Sequence, residues 1–69
     1  MPTSYRPLFE FSGGEIAGNE QRFATEEEAQ ASAYSRYRAW TMPIGFSTEV
    51  TEDPVNYRWD PIDGDVPLN

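Results

Sequence analysis

Phe23-Ala24-Thr25-Glu26-Glu27-Glu28-Ala29-Gln30-Ala31-Ser32-Ala33-Tyr34-Ser35-Arg36-Tyr37-Arg38-Ala39-Trp40 is the stretch whose reading decides the fold. Thr25 is a good N-cap, and Glu28 stands three residues on, the capping-box spacing in which each side chain reaches the other's backbone N–H. Glu26, Glu27 and Glu28 occupy the first turn, where the helix dipole favours negative charge, and Arg36 and Arg38 the last turns, where it favours positive charge. The interior is alanine-rich and has no Gly or Pro. Pro43 ends the run, because the residue before a proline is pushed out of the helical region. Ala29, Ala33, Tyr37 and Trp40 recur at helical spacing and form one stripe, small at the N-terminal end and large at the C-terminal end. The stripe reads as a wedge in which alanines approach a sheet closely and the aromatics fill the wider end. Tyr34 lies off the stripe, either as a boundary residue or as an exposed contact.

The segments on either side read as strands. Tyr5 to Phe11 alternates, with Tyr5, Phe9 and Phe11 opposite Arg6 and Glu10. Pro7 cannot donate to a ladder, so this strand is expected at an edge, or paired only after Pro7. Ser12-Gly13-Gly14 is a turn. Glu15-Ile16-Ala17 is a short returning strand or a loop, Gly18-Asn19 a second turn, and Phe23 is expected to tuck under the first helical turn. Beyond the helix, Ile44, Phe46, Thr48 and Val50 alternate with Gly45, Ser47, Glu49 and Thr51. After a Glu52-Asp53-Pro54 loop, Val55, Tyr57 and Trp59 alternate with Asn56, Arg58 and Asp60. These two strands are expected to pair as a hairpin, aromatic side against the helix. Residues 61–69 carry two prolines and two acids without a period, and are expected to be a flexible or loosely docked acidic tail. The reading is an α+β fold: one domain over residues 1–69, a three- or four-stranded antiparallel sheet with one helix on one face, order β(β)αββ.

Sixty-nine residues give a thin core, which ten aromatics partly compensate. The absence of cysteine removes disulfides and thiolate chemistry, which suits a reducing cytoplasm. No long apolar segment or secretory leader is present in the sequence. Twelve acids against five arginines give a net charge of −7. That balance argues against direct nucleic-acid binding and against an anionic membrane surface. It favours solubility and attraction to a basic partner surface.

Chemistry has little to work with. The chain has no His and no Cys, the usual general base, metal ligand and strong nucleophile. Glu49 with Glu52 or Asp53 is the nearest carboxylate pair, and such pairs are usually solvated loop acids. Gly13-Gly14 lacks the lysine and helix of a phosphate loop. Asp60, Asp63 and Asp65 around Gly64 do not follow the EF-hand order. No cofactor, metal or catalytic residue is therefore expected, and the chain reads as a non-enzyme. The acids cluster at Glu26–Glu28, at Glu49, Glu52 and Asp53, and at Asp60, Asp63 and Asp65. The partner-binding candidates are Glu26, Glu27, Gln30, Tyr34, Arg38, Glu49, Glu52 and Asp53. Glu27, Gln30, Tyr34 and Arg38 share the outward side of the helix.

Two segments, Arg22-Phe23-Ala24-Thr25-Glu26-Glu27-Glu28-Ala29 and Asp53-Pro54-Val55-Asn56-Tyr57-Arg58-Trp59, resemble a group of small uncharacterised proteins of phages, prophages and mobile elements of GC-rich bacteria. The resemblance covers about residues 20–60 and implies the αββ core, with no active site to carry over. By analogy of class, small acidic phage proteins of this kind include inhibitors of host defence such as anti-CRISPR proteins. The expectation is a phage-encoded, anti-CRISPR-like inhibitor acting in the host cytoplasm on a protein partner with a basic surface, a CRISPR–Cas complex among the candidates. The alternative is an accessory or structural interaction module that self-associates. As to assembly, a monomer or a weak homodimer is expected.

Overall fold

The structure is a computed structural model and describes residues 3–68. Met1, Pro2 and Asn69, the last residue of the expected tail, lie outside the described residues. The elements are β1 (Ser4–Glu10), β2 (Ile16–Gly18), α1 (Glu26–Ala39), β3 (Gly45–Thr51), β4 (Tyr57–Asp60) and β5 (Gly64–Pro67). The fold is α+β, in the expected order with a fifth strand added. An antiparallel sheet β2-β1-β3 carries α1 on one face, and β4-β5 form a separate ribbon.

Thr25 caps α1 as its sequence predicts, its hydroxyl accepting the Glu28 N–H. The return half of the capping box is diverted. Glu28 accepts from the Thr25 hydroxyl and, with its other oxygen, from the Trp59 backbone N–H at 3.0 Å. One acid thus closes the helix start and ties it to β4. Ala29, Ser32 and Ala33 are the buried helix residues. Trp40, just past the last turn, meets Phe9 and Phe11 edge-on at 5.7 and 5.4 Å between centroids. The narrow end of the expected wedge therefore exists, with Ser32 added to it, while Trp40 at the wide end lies past the helix and stays 44 % exposed.

Three expectations are corrected. The first concerns β1, which is the central strand and not an edge, paired with β3 from Ser4 onwards. Tyr5 exchanges both backbone hydrogen bonds with Phe23. By alternation, the Pro7 backbone also faces away from β3. Its missing N–H falls between the Phe23 bridge and β2, which pairs only from Leu8. The strand is an edge locally, at the one position that needs it.

The second correction is that residues 44–51 and 55–60 do not pair with each other. β3 pairs over its whole length with β1, aligning Phe9 with Phe46, Arg6 with Glu49 and Ser4 with Thr51. Cross-strand pairs of these kinds stabilise a register. β4 is drawn to the far side by Phe23, which bridges to Tyr5 on one flank and Tyr57 on the other and is fully buried. Asn56 fixes that junction. It gives its backbone N–H to the Arg22 carbonyl, accepts the Arg22 N–H on its side-chain oxygen, and donates its amide to the Glu20 carbonyl.

The third concerns the expected tail over 61–69, which contains β5 and closes a hairpin on β4, from Tyr57↔Pro67 to Asp60↔Gly64. Asp60 side-chain Oδ1 accepts from the Ile62 and Asp63 N–H groups, and Gly64 adopts φ +78. Three residues separate Asp60 from Gly64, and the left-handed Gly64 is the first residue of the returning strand. The β1–β2 hairpin instead has its left-handed glycine, Gly14 (φ +84), inside the loop that the Phe11 N–H closes on the Glu15 carbonyl.

Candidate functional site

Four of the five arginines are spent on intramolecular pairs. Arg6 holds Glu49 at 2.6 Å, Arg22 holds Asp53 at 2.9 Å, Arg36 holds Asp65 at 2.9 Å, and Arg58 lies 3.5 Å from Asp60. Among the described residues Arg38 alone has no carboxylate partner, and its guanidinium lies 5.6 Å above the Tyr34 ring. With those four pairs neutral, the charge of −7 resides in eight remaining acids less Arg38. Seven of the eight, namely Glu10, Glu15, Glu20, Glu26, Glu27, Glu52 and Asp63, are exposed, and Glu28 is half-buried.

The expected binding residues fall into separate groups. Glu27, Gln30, Tyr34 and Arg38 do share one face of α1. Tyr34 is its ridge, half exposed, and it packs 5.6 Å from Phe46 on β3. It is thus both a boundary residue and an exposed one. A shallow cleft of about 340 Å³, lined by Glu27, Gln30, Ala31, Tyr34 and Phe46, runs along one flank of this ridge. A larger one of about 670 Å³ runs along the other, between α1 and the β4–β5 hairpin, with Arg38, Trp59, Ile62 and Asp63 in its wall. Ile62, 92 % exposed at the hairpin tip, flanks this second cleft. Glu26 sits exposed at the start of α1.

Glu49 is not on that face. Phe46 packs against α1, so by strand alternation Glu49 projects from the opposite side of the sheet, where Arg6 neutralises it. Asp53 is neutralised by Arg22 in a third cleft, with Glu20, Pro54 and Asn56. Glu52 is exposed in the same loop. Of Glu49, Glu52 and Asp53, two therefore serve as counter-ions to arginines.

The tail acids also have structural duties. Asp60 caps the hairpin turn. Its carboxyl is held below the usual carboxylate value by the Asp63 N–H first and the Ile62 N–H second, against a small opposing effect of burial, with Arg58 adding to the lowering. Asp65 Oδ2 accepts from Arg36 and from the side-chain amide of buried Gln21, at 2.9 and 3.0 Å. Arg36 also donates to the Gln21 oxygen, and Gln21 in turn receives the Asn19 amide. This half-buried network joins helix, loop and ribbon. Sequence reasoning missed Ile62 and Trp59 as cleft residues because it left the second hairpin unread. The Asp60-Pro61 and Gly64 signature was the available signal.

No family model, curated protein or solved structure matches the chain. No helix among the described residues is long and apolar enough to cross a membrane.

Proposed function

We propose that the chain is a non-enzymatic, phage-encoded, anti-CRISPR-like inhibitor that docks on a basic surface of a host nucleic-acid-handling complex and blocks it. One observation supports this above the others. Internal ion pairs consume four of the five arginines, so the unpaired charge left on the surface is almost all acidic. The α1 face supplies the contact: Glu26 and Glu27 bring charge, and Tyr34 stands as an aromatic ridge between two clefts. An aromatic anchor ringed by polar groups is the usual composition of a binding hot spot.

The test is target-strand cleavage by purified CRISPR–Cas complexes in the presence of the protein, across a salt series. Inhibition is expected to weaken as salt rises, because exposed charges are screened beyond about 8 Å at physiological ionic strength. The variants Glu26→Lys/Glu27→Lys and Tyr34→Ala are expected to relieve it. Binding that is indifferent to salt and to these substitutions would remove the electrostatic basis of the reading.

A further inference from the structure

β3 is an outer strand of its sheet: β1 lies on one side of it and no strand on the other. Tyr5 faces Phe23 with its backbone groups, so Ser4, Arg6, Leu8 and Glu10 face β3. Their partners Thr51, Glu49, Ser47 and Gly45 face back. Phe46, Thr48 and Val50 therefore direct their N–H and C=O groups away from the sheet. Among the described residues none of these groups has a hydrogen-bond partner from a loop or side chain. The devices that normally blunt an edge, a lysine, a proline or an inward charge, are missing between Phe46 and Val50. The one charge there, Glu49, is neutralised by Arg6.

We propose that this edge pairs with the same edge of a second copy of the chain, antiparallel, about a two-fold axis at Thr48. The three outward residues are spaced symmetrically about Thr48. That register sets Phe46 against Val50 of the second copy and Thr48 against Thr48, and uses every outward N–H and C=O. An aromatic facing a β-branched residue and a threonine facing a threonine are both favourable cross-strand pairs. Val50, 61 % exposed although its side chain points to the helix side of the sheet, gains a cover.

The symmetric spacing of the outward residues about Thr48 selects a second copy as the occupant, and the helix directions allow it. Helix α1 runs antiparallel to β3: Phe23, before its start, pairs with Tyr5 at the Val50 level, and Trp40 packs on Phe9 at the Phe46 level. It rests on β1 and β3. With strands about 4.8 Å apart, the two-fold brings the helices to roughly 10 Å, a normal packing distance, in opposite directions. The Glu26–Glu27 end of each helix then lies towards the Arg38 end of the other. The result is a continuous six-stranded sheet with paired helices on one face.

The inference does not rest on the inhibitor reading, and the two respond to salt in opposite directions. Two bodies of charge −7 repel, so self-association tightens as salt rises, whereas docking on a basic surface weakens. Both use the α1 face, so dimer and partner complex exclude one another there. Sedimentation velocity of the full chain at about 1 to 100 μM, in low and high salt, tests the proposal. The expected result is a monomer–dimer equilibrium that shifts towards dimer with salt. Thr48→Pro removes an outward N–H and leaves the bonds to β1 in place, so it is expected to yield monomer with an unchanged far-UV spectrum. Val50→Lys, which leaves the backbone untouched, is expected to weaken the dimer by tenfold or more. A strict monomer at every salt concentration overturns the proposal, as does a dimer that survives Val50→Lys.

Discussion

Ser32 sits fully buried in the middle of α1 with a hydroxyl that has no hydrogen-bond partner. A buried, unpartnered hydroxyl costs stability, and serine is a poorer helix former than alanine. Ser32→Ala is therefore expected to stabilise the protein by about 0.5–1 kcal/mol, read as a higher chemical-denaturation midpoint. A loss of stability would mean that the hydroxyl is satisfied in solution. Asn56 is the opposite case, since every hydrogen-bonding group on its side chain that contacts the Glu20–Arg22 segment is used. Asn56→Ala leaves the Arg22 N–H and Glu20 carbonyl without partners and is expected to cost about 1–3 kcal/mol by the same measurement. Neither assignment was available from residue type. In a strand pattern Asn56 reads as an outward polar residue, and Ser32 as a neutral helix position. Which of them is satisfied depends on a segment more than twenty residues away.

At the scale of elements, the second hairpin carries a pH dependence. The Asp60 carboxyl lies below its ordinary value of 3.8 because its charged form accepts two backbone N–H groups. A depressed folded value means a stabilising contribution that is complete above the unfolded value and lost as pH falls through the folded one. The turn is thus expected to be unchanged between pH 5 and 7 and to loosen only below about 4. The Ile62 and Asp63 amide shifts should titrate with a midpoint below 3.8. A midpoint at or above that value would contradict the assigned cap. Gly64, at φ +78, holds the other side of the turn. Gly64→Ala forces a side chain into the left-handed region and is expected to cost about 1–2 kcal/mol, seen as a lower melting temperature. The same logic made the start of α1 legible, since its cap and dipole charges are local; its end, at Ala39 with Trp40 extended, comes before the Pro43 terminator. β4–β5 was half legible, because the proline and acids that form its turn also suit a tail without regular structure.

For the whole molecule, the C-terminal ribbon is part of the body. Phe23 stacks towards Tyr57 at 6.1 Å, Glu28 holds the Trp59 N–H, and Asp65 holds Arg36 and Gln21. A chain shortened to residues 1–56 loses all of these and is expected to lose cooperative thermal unfolding, followed by near-UV circular dichroism. An unchanged transition would show that the sheet and helix suffice. A thin core explains the sensitivity: in 69 residues, few buried side chains carry most of the burial, and Phe23 is among them.

The sequence by itself determined the α+β class, the single helix with its start, the alternating strands and the acidic balance. Each follows from local rules, namely capping, period and charge count, which involve residues no more than a few positions apart. It also placed Glu27, Gln30, Tyr34 and Arg38 on one face, since that requires only helical geometry. Tertiary structure alone decided which strand pairs with which. Phe23 had to be buried between Tyr5 and Tyr57, so β3 went to β1 and β4 to the other side. That choice also decided which acids stay free. Glu49, Asp53 and Asp65 met arginines distant in sequence and were neutralised, and Glu26 and Glu27 met none. The physical reason is the same throughout: pairing energies between distant segments depend on what the fold brings within a few ångströms, and no local pattern encodes that distance.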